Sequence, residues 1–341
     1  MSIQGAIERA ASGQDVPAAE LEAAFGTIMD GKATPAQIAG LLIALRTKGE
    51  TVAELVAVVR ALRARADAGP LLDPATIDCC GTGGAPVKTF NISTTAAFVA
   101  AGAGARVGKH GNRAATSKSG SADVLEALGV TVDLPVAAAA EVLDEVGVSF
   151  FFARRAHPAM RHVAPVRAEL GVRTMMNCLG PLLNPIGARR QLMGVYAERL
   201  VEPIAQVLLE LGSDAAWVVH GNDGLDEITT TTTTRVARIA DGRIDLFEID
   251  PKEWGIPRAS VSDLGGGDAA ENAEITRAVL AGEPGPRADI VALNAAAALV
   301  VAGKAADLGA GLELARESIA SGKAAACLAA MVEATKRRAS A

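Results

Sequence analysis

The densest chemistry in the chain is the stretch CGTGGAPVKTFNIST, residues 80–94, where Gly81, Gly83 and Gly84 fall within four positions and Asn91, Ser93 and Thr94 follow. Glycine admits positive φ and lets a ligand come close to the main chain. Successive backbone N–H groups in such a turn form an anion-binding concavity. The helix expected from Ser93 onward would add its positive dipole end, with two hydroxyls in its first turn free to donate to phosphate oxygens. Taken alone, the loop reads as a polyphosphate cradle or as a tight strand-to-helix connection that merely needs glycine. Its spacing is neither GxGxxG nor GxxxxGK[ST], which argues against dinucleotide and P-loop sites. No acid lies inside it.

Two later segments weigh toward the cradle. GKHGNRAATSKSGSADVLEALG, residues 108–129, sets Lys109, His110, Asn112, Arg113 and Lys118 among glycines and serines. Such a charge run is usually a solvated face, but here it falls between an expected strand and an expected helix, where α/β proteins bind ligands. VVHGNDGLDEIT, residues 218–229, carries the adjacent carboxylates Asp226 and Glu227. A surface loop with two acids is the plain reading of that pair. The chemical one is Mg2+, which takes one or two protein carboxylates and completes its shell with substrate phosphates and water.

The elements that must position these residues follow from pattern. Up to about residue 70 the periodicity is helical. Thr34-Pro35 opens one helix as N-cap and first residue, and Gly49 closes it. Thr51 and Glu54 have capping-box spacing ahead of an apolar repeat at Val52, Leu55, Val56, Val59 and Leu62. Beyond Gly69-Pro70 the pattern alternates: ATIDCC as strand, STTAAFVAAGAGA as helix, ARVGKHG as strand, SGSADVLEALG as helix, AAWVVHG as buried strand. TRVARIADGRIDLFEID predicts a hairpin turning at Asp241-Gly242. From Glu271 onward the pattern is helical. Alternation of this kind predicts an α/β fold: a small all-helical domain plus a large α/β domain with a mainly parallel sheet. The six threonines at 229–234 predict an extended segment.

Bulk composition bounds the function. The chain has 341 residues, half of them hydrophobic, and a net charge of −6, which argues against a dedicated nucleic-acid binder. The N-terminus lacks the basic start and apolar run of a signal peptide. The longest apolar stretch, Ile290 to Ala302, is short of the ~20 residues a membrane span needs, so a buried helix is expected there. Cys79, Cys80, Cys178 and Cys327 show no metal-ligand spacing, and reduced thiols in a cytoplasmic protein are the expectation.

The ordered set GTGG (81–84), TFNIST (89–94), KHGNR (109–113), SKSGSADVLEALG (117–129), HPAM (157–160), VRAELGVRT (166–174), LGPLLNP (179–185) and GLDEIT (224–229) closely resembles the anthranilate phosphoribosyltransferase family. The resemblance runs from about residue 30 to 300. It implies a homodimer whose subunit has a helical domain over 1–72, completed by about 160–188, and an α/β domain over 73–341 excluding that segment. It implies transfer of the phosphoribosyl group of phosphoribosyl pyrophosphate to the amine of anthranilate. Gly81, Gly83, Gly84, Thr89, Asn91, Ser93, Thr94, Lys109 and Ser121 would hold the phosphoribosyl pyrophosphate. Gly81, His110, Asn112 and Arg167 would hold anthranilate, with Arg167 pairing to its carboxylate and His110 shaping the channel. Asp226 and Glu227, with Ser93, would bind Mg2+. His157 is expected to be a helix-entry residue. Association with an anthranilate synthase partner is a further implication.

The chain departs from the family pattern at Ala85, where an aspartate is usual, which implies weaker Mg2+ dependence and less inhibition by excess metal. Thr232-Thr233, Arg154 and Met176 also replace usual residues. Two alternatives stay open on the sequence: a pyrimidine nucleoside phosphorylase-like enzyme, and a non-enzymatic nucleic-acid-binding relative.

Overall fold

A computed structural model describes residues 2–70, 73–114 and 118–340 of the chain. The expected domain boundary at 72/73 and Ser117 of the quoted serine-rich segment therefore touch positions outside the described residues.

Four helices open the chain: α1 (Ile3–Ala11), α2 (Ala18–Met29), α3 (Pro35–Lys48) and α4 (Val52–Arg63). Their ends are set locally, as the sequence predicts. Thr34 accepts from the Gln37 N–H while Gln37 reaches back to the Thr34 N–H, and Gly49 closes α3 at φ 90°. Thr51 and Glu54 make the same reciprocal pair at the start of α4. Lys48 ties α3 to α4 through Glu54, with both side chains buried.

The α/β part is built on a seven-stranded sheet: β1 (Ile77–Gly81), β2 (Val107–Gly111), β3 (Val148–Phe152), β4 (Arg190–Gly194), β5 (Ala215–Gly221), β6 (Thr234–Ala240) and β7 (Arg243–Ile249). Their order is β3-β2-β1-β4-β5-β6-β7. The first five strands are parallel and the last two antiparallel, so the sheet is mainly parallel as expected. The hairpin turns at Asp241 (φ 51°) and Gly242 (φ 71°), the left-handed pair that a two-residue turn demands.

Alternate residues of each strand face two cores. On one side Ile77, Val107, Leu192, Trp217 and Val219 meet α5 (Ile92–Gly102), the helix Pro286–Val301 and the C-terminal helix Lys323–Ala339. Ile290, Val291, Leu293 and Leu299 are fully buried there, each worth about 1.5–3 kcal/mol relative to exposure. The apolar run at 290–302 is thus a core helix, and no helix among the described residues is long and apolar enough to cross a membrane. On the other side Met193, Val195, Ala216 and Val218 join the apolar faces of α1–α4 and of Val163, Val166, Met175, Met176 and Leu179.

One expectation fails. Thr230–Thr232 form bends and Thr229 and Thr233 irregular chain ahead of β6, and only Thr234 belongs to the strand. Asp223 overrides the β preference: it accepts hydrogen bonds from the Thr229 hydroxyl at 2.6 Å and from the Thr231 hydroxyl, folding the segment into a knot.

The candidate ligand site runs along the sheet's carboxyl edge. Chain order reverses between β1 and β4, and a parallel sheet opens a crevice at such a switch point. Gly81 and Gly194, the last residues of these paired strands, stand opposite one another.

Candidate active site

At the end of β1 the chain turns through Gly83 (φ 67°) and Gly84 (φ 76°), two successive left-handed residues that only glycine takes without strain. The Gly83 N–H donates to Asp226 Oδ2 at 2.7 Å. The glycine turn therefore faces the dicarboxylate loop, and the absence of an acid inside the turn is answered by one 143 residues away. Close approach explains two more glycines. A Cβ on Gly81 would lie 2.5 Å from Asp226 Oδ2, and one on Gly194 would overlap the Asp226 carbonyl oxygen. The 222–229 loop can cross the strand ends only because both side chains are missing.

Glu227 sits at the start of α5. Its Oε1 accepts the Ser93 N–H at 3.1 Å, one of the orphan donors of a helix's first turn. Burial, and then the neighbouring Asp226 charge, push the Glu227 carboxyl up to about 8, against the pull of Lys109. Asp226 is also raised by burial, opposed by the Gly83 hydrogen bond. Lys109, on β2 and 5 % exposed, donates to the Cys79 carbonyl and, at 3.4 Å, to Ser93 Oγ. Lys109, Ser93 and Glu227 thus form a connected cluster beside the glycine turn.

The donor set fits a hard dication. Two adjacent carboxylates that cannot both ionise cheaply gain from a divalent charge between them. Among the described residues no group of three or more His, Cys, Asp and Glu could hold a metal ion by itself. Such a cation would depend on ligand phosphate and water for the remainder of its shell, which is how Mg2+ is usually bound.

The other phosphate-side residues divide. Asn91 caps the entry to α5; its Oδ1 accepts from Asn272 at 2.9 Å and from Ser119 Oγ at 3.4 Å, and its Nδ2 donates to the Ser119 carbonyl. Ser121 begins α6 (Ser121–Ala127), and its hydroxyl donates to the Asn112 carbonyl at 3.3 Å. Thr89 is half-buried and makes no side-chain hydrogen bond among the described residues. Thr94 is buried. Its side chain is 2 % exposed and lines a small internal cavity with Phe98, Ser149 and Phe150. Adjacent helical positions point about 100° apart, so Ser93 faces the loop and Thr94 the core.

Of the residues expected to hold anthranilate, His110 is 5 % exposed and follows Lys109 on β2. Its Nδ1 lies 3.2 Å from the Gly180 carbonyl, so the proton sits on Nδ1, and the buried Nε2 has no partner among the described residues. Burial, then the His157 ring edge-on at 5.3 Å, push the His110 imidazole down to about 3. It is a neutral ring, suited to shaping and hydrogen bonding rather than to cation duty. His157 is likewise buried, 2.7 Å from the Leu183 carbonyl, at the entry to the turn Pro158–His162. Asn112 is exposed, its Oδ1 accepting the Arg113 N–H at 2.8 Å. Arg113 drops out of the basic cluster: it is paired to Glu126 and Asp123 on α6.

Arg167 lies on the short helix Ala164–Leu170, which Gly171 ends at φ 62°. Its guanidinium is half-buried, burial lowers its pKa, and no carboxylate pairs with it among the described residues. A guanidinium of this kind can pair with a planar anion through two parallel hydrogen bonds.

Sequence reasoning missed Arg173, whose Nη2 donates to the Gly84 carbonyl at 2.6 Å while its guanidinium lies 4.5 Å over the Tyr196 ring. The available signal was the second arginine of VRAELGVRT. It also missed Asn272, which orients Asn91, and Asp223, which knots the dicarboxylate loop; neither carried a spacing signal.

Known proteins resemble this chain over nearly its whole length. Residues 4–66 match the model of the glycosyl transferase family's helical bundle domain, and residues 73–325 that of its a/b domain. An anthranilate phosphoribosyltransferase of Rhodospirillum rubrum is 54% identical over 331 residues, covering 97% of this chain and 95% of the relative. The crystal structure of the Thermus thermophilus anthranilate phosphoribosyltransferase superposes with a TM-score of 0.92 at 44% identity, covering 97% of this chain and 99% of that one. The Saccharomyces cerevisiae enzyme in complex with PRPP and Mg superposes with a TM-score of 0.91 at 27% identity, covering 98% of both chains.

Proposed function

The chain belongs to the anthranilate phosphoribosyltransferase family, and from that premise we infer how its residues divide the work of joining anthranilate to the phosphoribosyl group of phosphoribosyl pyrophosphate. The chain is a glycosyltransferase of tryptophan biosynthesis. In the reaction the anthranilate nitrogen lone pair forms the bond to C1 of the ribosyl group. The C1–O bond breaks with its electrons passing to pyrophosphate, and the new nitrogen sheds a proton. The aromatic amine is nearly neutral, so it needs no base before attack, and no covalent nucleophile is required. Catalysis is then positioning plus stabilisation of departing negative charge.

The observation that carries the division of labour is the meeting of the Gly83 amide with Asp226 and of the Ser93 amide with Glu227 across one crevice. Gly81, Gly83, Gly84, Thr89, Asn91, Ser93, Thr94, Lys109 and Ser121 hold phosphoribosyl pyrophosphate, with main-chain amides and the Lys109 ammonium toward its phosphates. Asp226 and Glu227, with Ser93, hold Mg2+. The bound ion supplies neutralisation of the pyrophosphate charge. Arg167 takes the anthranilate carboxylate in a planar fork, and neutral His110 and Asn112 border the ring. A homodimer, association with anthranilate synthase and a cytoplasmic location are proposed on the family resemblance alone.

The test is fluorimetric: anthranilate emission should decay on adding phosphoribosyl pyrophosphate and Mg2+, with stoichiometric pyrophosphate release. Phosphorolysis of a pyrimidine nucleoside without that decay would refute the reading.

A further inference from the structure

The structure assigns Arg173 as a positioning residue that holds the glycine turn in its ligand-binding shape from the segment that carries Arg167. This rests on the functional reading above for its kinetic consequences, not for its geometry.

The turn is weakly tethered. Thr82 is well anchored: its N–H donates to the Gly194 carbonyl at 2.9 Å, and its hydroxyl accepts the Tyr196 N–H at 3.0 Å. The next firm point is Phe90, whose N–H donates to the Leu264 carbonyl at 3.2 Å. Between them, Gly83 is bonded to Asp226, and Lys88 bonds only the Ala85 carbonyl within the turn itself. Among the described residues the one hydrogen bond from residues 84–89 to any other segment is Arg173 to the Gly84 carbonyl. A phosphate that takes the Gly83 amide would displace Asp226 from it. Arg173 would then be the remaining hydrogen-bonded tether.

The contact is built for orientation. In a trans peptide the carbonyl and the following N–H point opposite ways. Fixing the Gly84 oxygen on Arg173 therefore fixes where the Ala85 N–H points. Gly84 at φ 76° has no side chain to hold it otherwise. Stacking on Tyr196 holds the guanidinium plane, and Tyr196 is itself bonded to Thr82 at the turn's other end. The arginine thus links Gly84 to the strand-end anchor at Thr82. It follows Gly171, whose left-handed φ of 62° stops the Arg167 helix and sends the chain back toward the turn. Arg173 pairs with no carboxylate among the described residues, so its donors serve the carbonyl.

The test compares wild type with Arg173→Ala, Arg173→Lys and Tyr196→Leu. Hydrogen exchange read by mass spectrometry on the ligand-free chains should show the bonded amides of Gly83 and Phe90, in peptides over 82–90, exchanging faster in Arg173→Ala and Tyr196→Leu. Exchange over β1 and α5 should not change. In steady-state assays Arg173→Ala should raise the KM for phosphoribosyl pyrophosphate about ten- to a hundredfold, the range of a charge-assisted hydrogen bond. Its kcat should move less and its Tm by no more than about 2 °C, since the side chain is exposed. Arg173→Lys should recover part of the loss, because an ammonium still reaches the carbonyl without stacking. Unchanged exchange over 82–90 overturns the proposal whatever the activity. So does an unchanged KM in Arg173→Ala when the wild type consumes anthranilate. A wild type that consumes none refutes the functional reading, and exchange alone then decides the role of Arg173.

Discussion

Replacing Arg167 with alanine separates binding from folding more cleanly than any other single change here. In the ligand-free chain the guanidinium is half-buried and has no ionic partner among the described residues. Its partial dehydration has already been met by folding, so a carboxylate that reaches it forms a charge-assisted contact at reduced further cost. One such contact is worth about 1.5–3 kcal/mol, which at 1.36 kcal/mol per decade is roughly a 10- to 150-fold rise in the KM for anthranilate. The kcat at saturation should fall much less, because the carboxylate lies away from the reacting nitrogen and is held equally before and during attack. Stability should hardly change: removing an unpaired, partly buried charge favours the fold, and losing the alkyl stem opposes it. Arg167→Lys should fall between, since it keeps charge without the planar fork. An analogue lacking the carboxylate should be indifferent to the substitution. The assay is the decay of anthranilate fluorescence at saturating phosphoribosyl pyrophosphate, with a thermal melt of each variant. A KM within twofold of wild type, or a loss of rate that merely follows a lowered Tm, would refute the assignment.

Gly194→Ala places a methyl in overlap with the Asp226 carbonyl oxygen, a backbone atom that cannot step aside. We expect about 1–3 kcal/mol of destabilisation and a collapse of kcat/KM for phosphoribosyl pyrophosphate; a variant that melts and turns over normally would show that the 222–229 loop does not lie where described. Burial holds His110 down at about 3, below its ordinary 6.5, so the unfolded chain binds the proton more readily. Its contribution is intact above pH 6.5 and is lost as pH falls, by about 2 kcal/mol between pH 6.5 and 5. His157, also lowered by burial, acts in the same direction. Glu227, raised to about 8, binds a proton more readily in the folded chain and opposes this slope over the same window, so the measurement is the difference between wild type and His110→Gln. In denaturant titrations the variant should lose less stability, or gain more, as pH falls, and equal pH slopes in the two would contradict a buried neutral ring. Ala85 is buried where the family usually has an acid, so initial rates should depend weakly on Mg2+ and resist inhibition by excess. Ala85→Asp should steepen the titration, and an ordinary dependence in the native chain would end that expectation.

Short-range rules were legible from sequence to the residue. Thr34, Pro35 and Gly49, the Thr51–Glu54 box and the Asp241-Gly242 turn each depend on atoms within a few positions, and each stands where spacing put it. The glycine turn, the helix after it and the acid pair were legible too, as types of chemistry. The threonine run misled because propensity is a weak prior beside an acceptor: Asp223, six residues before Thr229, claimed the hydroxyls. Arg113 looked free until α6 brought Asp123 and Glu126 against it.

What the linear chain determined was its inventory: which segments curl, which extend, where the backbone must be bare, and which ions and anions the side chains could hold. What only the folded molecule decided was adjacency. Gly83 meets Asp226 across 143 positions and Ser93 meets Glu227 across 134. Those meetings come from strand order, with β4 and β5 inserted beside β1 on the side away from β2. Sheet order is settled by the burial of two apolar faces at once, a property of all the strands and helices together, and no local stretch of residues contains it.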